Sequence, residues 1–165
     1  MTKKELSNEI KEAFEDVPFP GNNPEDIGVA ICHFYSEDME GFLGKKWSQI
    51  DAEFIRDGRD SAIQVMTDKA LRYYLPGYLL ASLEDQIGLF GDCVLAVLNP
   101  WADSDINHLE DDVSCFYNCF DALNNKQKRA ICDYLLYMLE NGDIDSTRCV
   151  PLTLKNYWLK YKGAE

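Results

Sequence analysis

Apolar residues in this chain recur at every third or fourth position and hardly ever at every second. In NKQKRAICDYLLYMLENG (residues 125–142), Ile131, Tyr134, Leu135, Met138 and Leu139 fall on one stripe. That spacing fits 3.6 residues per turn and offers no alternating face to a sheet. Its ends are marked as well: Asn124 with Gln127 has the capping-box pattern, and Asn141-Gly142 is a stop signal. The N-terminus repeats the design, with Thr2 and Glu5 as the box and Leu6, Ile10, Ala13, Phe14 and Val17 as the apolar face.

The remaining segments extend the helical reading. PFPGNNP (residues 18–24) ends the first helix. Asn23, Pro24, Glu25 and Asp26 then suit the start of another, predicted to carry Ile27, Ala30, Ile31, Phe34, Tyr35 and Met39 on one stripe. GFLGKKW (41–47) reads as a solvated connector, after which Ser48 caps a short helix bearing Ile50, Phe54 and Ile55 and stopped at Gly58. SAIQVM (61–66) is the one candidate extended segment. In KALRYYLPGYLLASLEDQ (69–86), proline disfavours helical geometry at Leu75, so one helix is predicted to end there and a second to start at Pro76. Tyr73, Tyr74 and Tyr78 would cluster at that corner. DCVLAVLNP (92–100), set off by Gly88 and Gly91, fits a buried helix or a strand, and WADSDINHLEDD (101–112) an acidic loop. Phe116 and Phe120 mark a short aromatic helix, and Leu154, Tyr157, Trp158 and Tyr161 a last amphipathic turn or two. The expected fold is mainly α: one domain over residues 1–165, an irregular bundle of about six to eight helices with at most one short extended segment.

Charge is the next constraint. The formal net charge is −13, and no Lys or Arg occurs between Arg72 and Lys126. That interval holds Glu84, Asp85, Asp92, Asp103, Asp105, Glu110, Asp111, Asp112 and Asp121. Such a field repels nucleic acid and anionic membrane and attracts basic partners; it also serves solubility. No run reaches the roughly 18–20 apolar residues of a membrane span. The charged N-terminus lacks a signal-like apolar core, so a cytoplasmic location is expected. In that setting Cys32, Cys93, Cys115, Cys119, Cys132 and Cys149 read as reduced thiols, mostly buried.

Motifs for chemistry are lacking. The Gly44-Lys45 pair has Met39 where a phosphate loop needs glycine. Asp103, Asp105 and Asn107 begin like a calcium loop, but His108 and Ser114 stand where glycine and glutamate are required. Cys115 and Cys119, with His108 nearby, fall short of a zinc ligand set. His33 and His108 are the only histidines, and no motif pairs either with a nucleophile. No catalytic residue, metal or cofactor is expected.

Several stretches carry a resemblance: AFEDVPFPG (13–21), GKKW (44–47), YYLPGYLLASL (73–83), FDALNNKQKRAICDYLLYML (120–139) and the pair Tyr157-Trp158. In order and spacing they resemble a family of short bacterial proteins known as domain of unknown function 6714. Residues 88–114 are the least family-like part. The family implies no activity. In size and style the chain is also similar to small acidic helical immunity proteins encoded beside bacterial toxins, many of which neutralise basic nucleases.

Two functions follow as expectations. The first is a non-catalytic, immunity- or antitoxin-like module that engages a basic protein through its 84–121 segment. Glu84, Asp85, Asp92, Asp103, Asp105, Glu110, Asp111, Asp112 and Asp121 would supply the charge, and Trp101 an aromatic anchor unless it folds back over Pro100. The second is a small-molecule-binding protein or an enzyme, with Tyr73, Tyr74 and Tyr78 as its pocket wall. Oligomeric state is left open.

Overall fold

The computed structural model describes residues 1–28, 39–84, 89–100, 109–142 and 150–163, with the backbone alone at 89, 90 and 109–112. Eight α-helices occur among them: α1 (Lys3–Ala13), α2 (Pro24–Ile27), α3 (Ala52–Arg56), α4 (Asp68–Glu84), α5 (Leu89–Leu98), α6 (Leu109–Phe120), α7 (Asn125–Asn141) and α8 (Val150–Asn156). Three 3-10 turns span Trp47–Gln49, Ala62–Val65 and Trp158–Tyr161. The described residues contain no strand, only an isolated antiparallel bridge between Gly28 and Met66. The protein is mainly α.

Both predicted capping boxes are present. The Thr2 hydroxyl accepts from the Glu5 N–H at 3.3 Å, and the Glu5 carboxylate accepts from the Thr2 N–H at 2.7 Å. That N–H bond, then one donated by the Thr2 hydroxyl to Glu5 Oε2 at 2.9 Å, holds the Glu5 carboxyl below its usual range. At α7, the Asn124 side chain accepts from the Gln127 N–H at 2.9 Å, and Gln127 accepts from the Asn124 N–H at 3.0 Å.

The described residues gather into two compact units, Met1–Glu15 with Leu95–Glu165, and Asp16–Val94. The division falls inside α5, in a chain whose sequence offers no linker.

In the first unit α1 packs on α7, burying Leu6, Ile10 and Phe14 against a face that includes Ile131, Tyr134 and Leu135. Arg129 Nε donates to Glu9 Oε1 at 2.9 Å across this interface. Phe116, Phe120, Tyr157 and Trp158 form an aromatic cluster, with ring centroids 4.8–5.8 Å apart. The carbonyl of Leu98, at the end of α5, lacks a partner within its own helix. Thr153 Oγ1 donates to it at 2.7 Å and Trp158 Nε1 at 3.3 Å.

In the second unit α4 is the central element, and it corrects the predicted break. The helix runs unbroken from Asp68 to Glu84 with Pro76 inside it. An internal proline costs about 3 kcal/mol, through a lost N–H bond and a ring clash. Residues 73–79 are all buried, and each large apolar side chain hidden contributes about 1.5–3 kcal/mol, so packing outweighs the proline. Gly77 has its own reason: a Cβ there would lie 2.6 Å from Ile50 Cβ and 2.7 Å from the Trp47 carbonyl. Its absence lets the 47–50 segment cross directly over the helix.

Four further expectations are corrected. Helix α2 ends after one turn, because Gly28 is extended and bridges Met66, while Thr67 donates from its N–H to Ile27 O and from its hydroxyl to Asp26 O. The remainder of that predicted helix, 29–38, lies outside the described residues. Within the 61–66 segment Ala62–Val65 form a 3-10 turn, and only Met66 is extended. Asp51, not Ser48, caps α3, its carboxylate accepting from the Phe54 N–H at 2.9 Å. Gly91 lies within α5 instead of setting it off, while the 92–98 run is helical, the first of its two expected forms.

Candidate functional site

The acidic candidates differ in what the structure gives them. Glu84 is exposed at the end of α4, and Asp92 is exposed on α5. Glu110, Asp111 and Asp112 occupy the first turn of α6, which corrects the predicted loop at its end. Acidic residues in a first turn are favoured by the unpaired N–H groups of the helix start. Asp85, Trp101, Asp103 and Asp105 lie outside the described residues, as do both histidines, Cys32 and Cys149.

Asp121, just after α6, is already engaged. Its Oδ1 accepts from the Tyr157 hydroxyl at 2.6 Å, and its carbonyl accepts from Lys128 Nζ at 3.0 Å. Burial, then the bond to Asp121, pushes the Tyr157 phenol well above the ordinary tyrosine range. Asp121 therefore ties the acidic run to the aromatic core.

The tyrosines of α4 are packing groups. Tyr74 donates to the Phe42 carbonyl at 2.8 Å and the Lys45 carbonyl at 3.2 Å, and Tyr78 donates to the Arg59 carbonyl at 2.6 Å. Phe42 sits edge-on to Tyr74, with centroids 5.0 Å apart, and Tyr73 meets Phe19 at 5.2 Å. All three tyrosines are at most 6% exposed, and burial raises the Tyr74 phenol well above its usual range. This is the placement of a core rather than of a pocket wall.

An open cleft of about 580 Å³ lies beside this core, lined by Gly41, Lys45, Glu53, Phe54, Arg56, Asp57 and Arg59. Sequence reasoning missed it. Lys45 is half-buried, with Nζ 5.1 Å from the Phe54 ring centroid, so the predicted solvated connector is corrected at this residue. The Gly44-Lys45 pair is the one sequence signal there, and it lacks the glycine of a phosphate loop.

Among the described cysteines no disulfide forms. Cys119 and Cys132 are buried, Cys93 is half-buried and Cys115 is exposed on α6, so the 115/119 pair is only half in the core. Burial, then Asp133, raises the Cys132 thiol to about 11. Burial, then Asp60 and Asp92, also raises that of Cys93. Neither is primed as a nucleophile, since the thiolate is the reactive form. No group of described residues has a metal-binding arrangement, and no described helix is long and apolar enough to cross a membrane.

A family model described as a family of unknown function, DUF6714, matches residues 2–162. No curated protein and no solved structure matches the chain.

Proposed function

We infer that this chain, which belongs to the DUF6714 family of unknown function, is a non-catalytic binding module that engages a basic protein through its 84–121 segment. The observation that carries this reading is the charge: nine acidic residues and no Lys or Arg between Arg72 and Lys126. Exposed Glu84 and Asp92 are consistent with carboxylates that face a partner. Uncompensated charge of one sign speeds encounter with the opposite sign and repels nucleic acid. An immunity- or antitoxin-like role in a bacterial cytoplasm fits an acidic, helical module in which burial raises the Cys93 and Cys132 thiols.

The test is capture of a partner from the source organism by the tagged chain, followed by association kinetics with that purified partner. A basic partner is expected, with an association rate that falls as salt rises and falls again when Glu84, Asp85, Asp92 and Asp112 are neutralised together. Rates indifferent to both changes would remove the reading.

A further inference from the structure

The cleft beside α3 runs against the charge of the molecule. Among the described residues it brings together Lys45, Arg56 and Arg59 with two carboxylates, Glu53 and Asp57, in a chain of net charge −13. Arg59 is fixed from several sides. Its Nη1 donates to the Phe54 carbonyl at 3.2 Å, the Asp57 carbonyl at 3.2 Å and Asp57 Oδ2 at 2.8 Å. Its Cζ lies 4.5 Å from the Phe54 ring centroid, against a ring that Lys45 Nζ also approaches. Gly41 closes the third side: a Cβ there would lie 2.6 Å from Arg59 Nε and 3.0 Å from Nη2.

The hydrogen bonds that Arg59 makes to described residues all leave from Nη1, and Nε is buried without a partner among them. A buried donor left unmade costs about 1–3 kcal/mol, and two cations beside one phenyl ring repel each other. Asp57 offsets Arg59 in part, but Lys45 has no carboxylate within ion-pairing distance among the described residues. A guanidinium held this rigidly has little freedom left to lose on binding, which favours recognition of planar or tetrahedral oxyanions.

We propose that this cleft binds the oxyanion group, carboxylate or phosphate, of a small ligand between Lys45 Nζ and the Arg59 guanidinium, with Arg56 at its rim. Phe54 supplies the apolar surface, with both cations within about 5 Å of its ring centroid. This assignment stands on different residues from the basic-partner reading and survives its failure.

The test is an amide NMR titration of the full chain with sodium phosphate and with sodium acetate, referenced to sodium chloride at equal ionic strength. Saturable shifts of the Gly41 and Gly44 amides are expected with at least one oxyanion and not with chloride. A tighter fit for phosphate assigns a phosphorylated ligand, and a tighter fit for acetate a carboxylate. Lys45→Gln should weaken binding about tenfold, since a hydrogen bond to a charged group is lost. Gly41→Ala retains every charge but displaces the guanidinium, and should weaken it similarly. Lys46→Gln, an exposed neighbour outside the cleft lining, should leave it unchanged. Should Gly41→Ala not fold, half-buried Lys45 carries the test alone. Shifts equal to those with chloride, or unaltered by Lys45→Gln, would overturn the proposal.

Discussion

In residues 16–94 the buried hydroxyls of Tyr74 and Tyr78 reach neutral main-chain carbonyls, whereas in the other unit the Tyr157 hydroxyl reaches the carboxylate of Asp121. Both solutions satisfy a buried phenol, as burial of tyrosine demands. They differ in what they couple to. A carbonyl bond has no charge and is indifferent to salt, whereas a bond to a carboxylate is charge-assisted and about twice as strong. The second unit thus has a self-contained aromatic core, while the first fastens its core to the acidic segment. One of the nine acids in that segment is part of the architecture, so a charge-neutralising series aimed at function should leave Asp121 in place.

The comparison is broken most severely by removing a ring from the self-contained core. Tyr78→Ala should lower stability by about 3–5 kcal/mol, because it leaves a cavity and removes the shorter of the two bonds to the Arg59 carbonyl, which keeps only the Ala62 N–H at 3.4 Å. Denaturant unfolding measures this, and a loss under about 0.5 kcal/mol, the range of surface substitutions, would contradict the core placement of the α4 tyrosines. A sharper contrast comes from deleting hydroxyls alone. Tyr157→Phe should cost about 1.5–3 kcal/mol, the range for a bond to a charged group. Tyr74→Phe should cost about 1 kcal/mol, since its acceptor is neutral and the Phe42 carbonyl also accepts from the Lys45 N–H at 3.0 Å. Equal losses in the two variants would erase the distinction between the units.

The smallest effect lies at the α1–α7 interface. Burial first, then the Glu9 charge, raises the Asp133 carboxyl above its ordinary range, against the opposing pull of Arg129 and Lys162. A carboxyl whose folded pKa is raised contributes stability below the unfolded value and loses it as pH rises through the folded one. At neutral pH the ionised Asp133 is therefore a net liability. Asp133→Asn should give a small gain at pH 7, and the gain should vanish below the ordinary carboxylate range, where wild-type Asp133 is protonated too. Thermal unfolding at both pH values checks the sign; a destabilised variant at pH 7 would show that the Arg129 attraction dominates.

Several parts of this fold were legible because their physics is local. The boxes at Thr2/Glu5 and Asn124/Gln127 close within four residues, so neighbouring identities suffice to specify them. The buried Ile131, Tyr134 and Leu135 of α7 and the terminal Leu154, Tyr157 and Trp158 needed only periodicity, although the same stripe wrongly included Leu139, which is exposed. The candidate site was legible only as a run of acids. That Asp121 is occupied by a tyrosine 36 residues away is a matter of packing that no spacing rule encodes. The cleft was hidden for the same reason, since Lys45 and Arg59 meet on Phe54 only after the chain folds back on itself.

The sequence by itself determined that this protein is helical, where several helices start, and that its negative charge is concentrated in one third of the chain. Tertiary structure decided that Pro76 stays inside α4, that Gly77 admits the 47–50 segment, that Ala62–Val65 coil into a 3-10 turn, and that α1 pairs with α7 through a contact 120 residues apart. Helix propensity and capping act over a single turn and amount to about a kilocalorie per residue or less apart from proline. Burial of a whole aromatic face is several-fold larger and depends on residues distant in the chain, so where the two conflicted, at Pro76, burial prevailed.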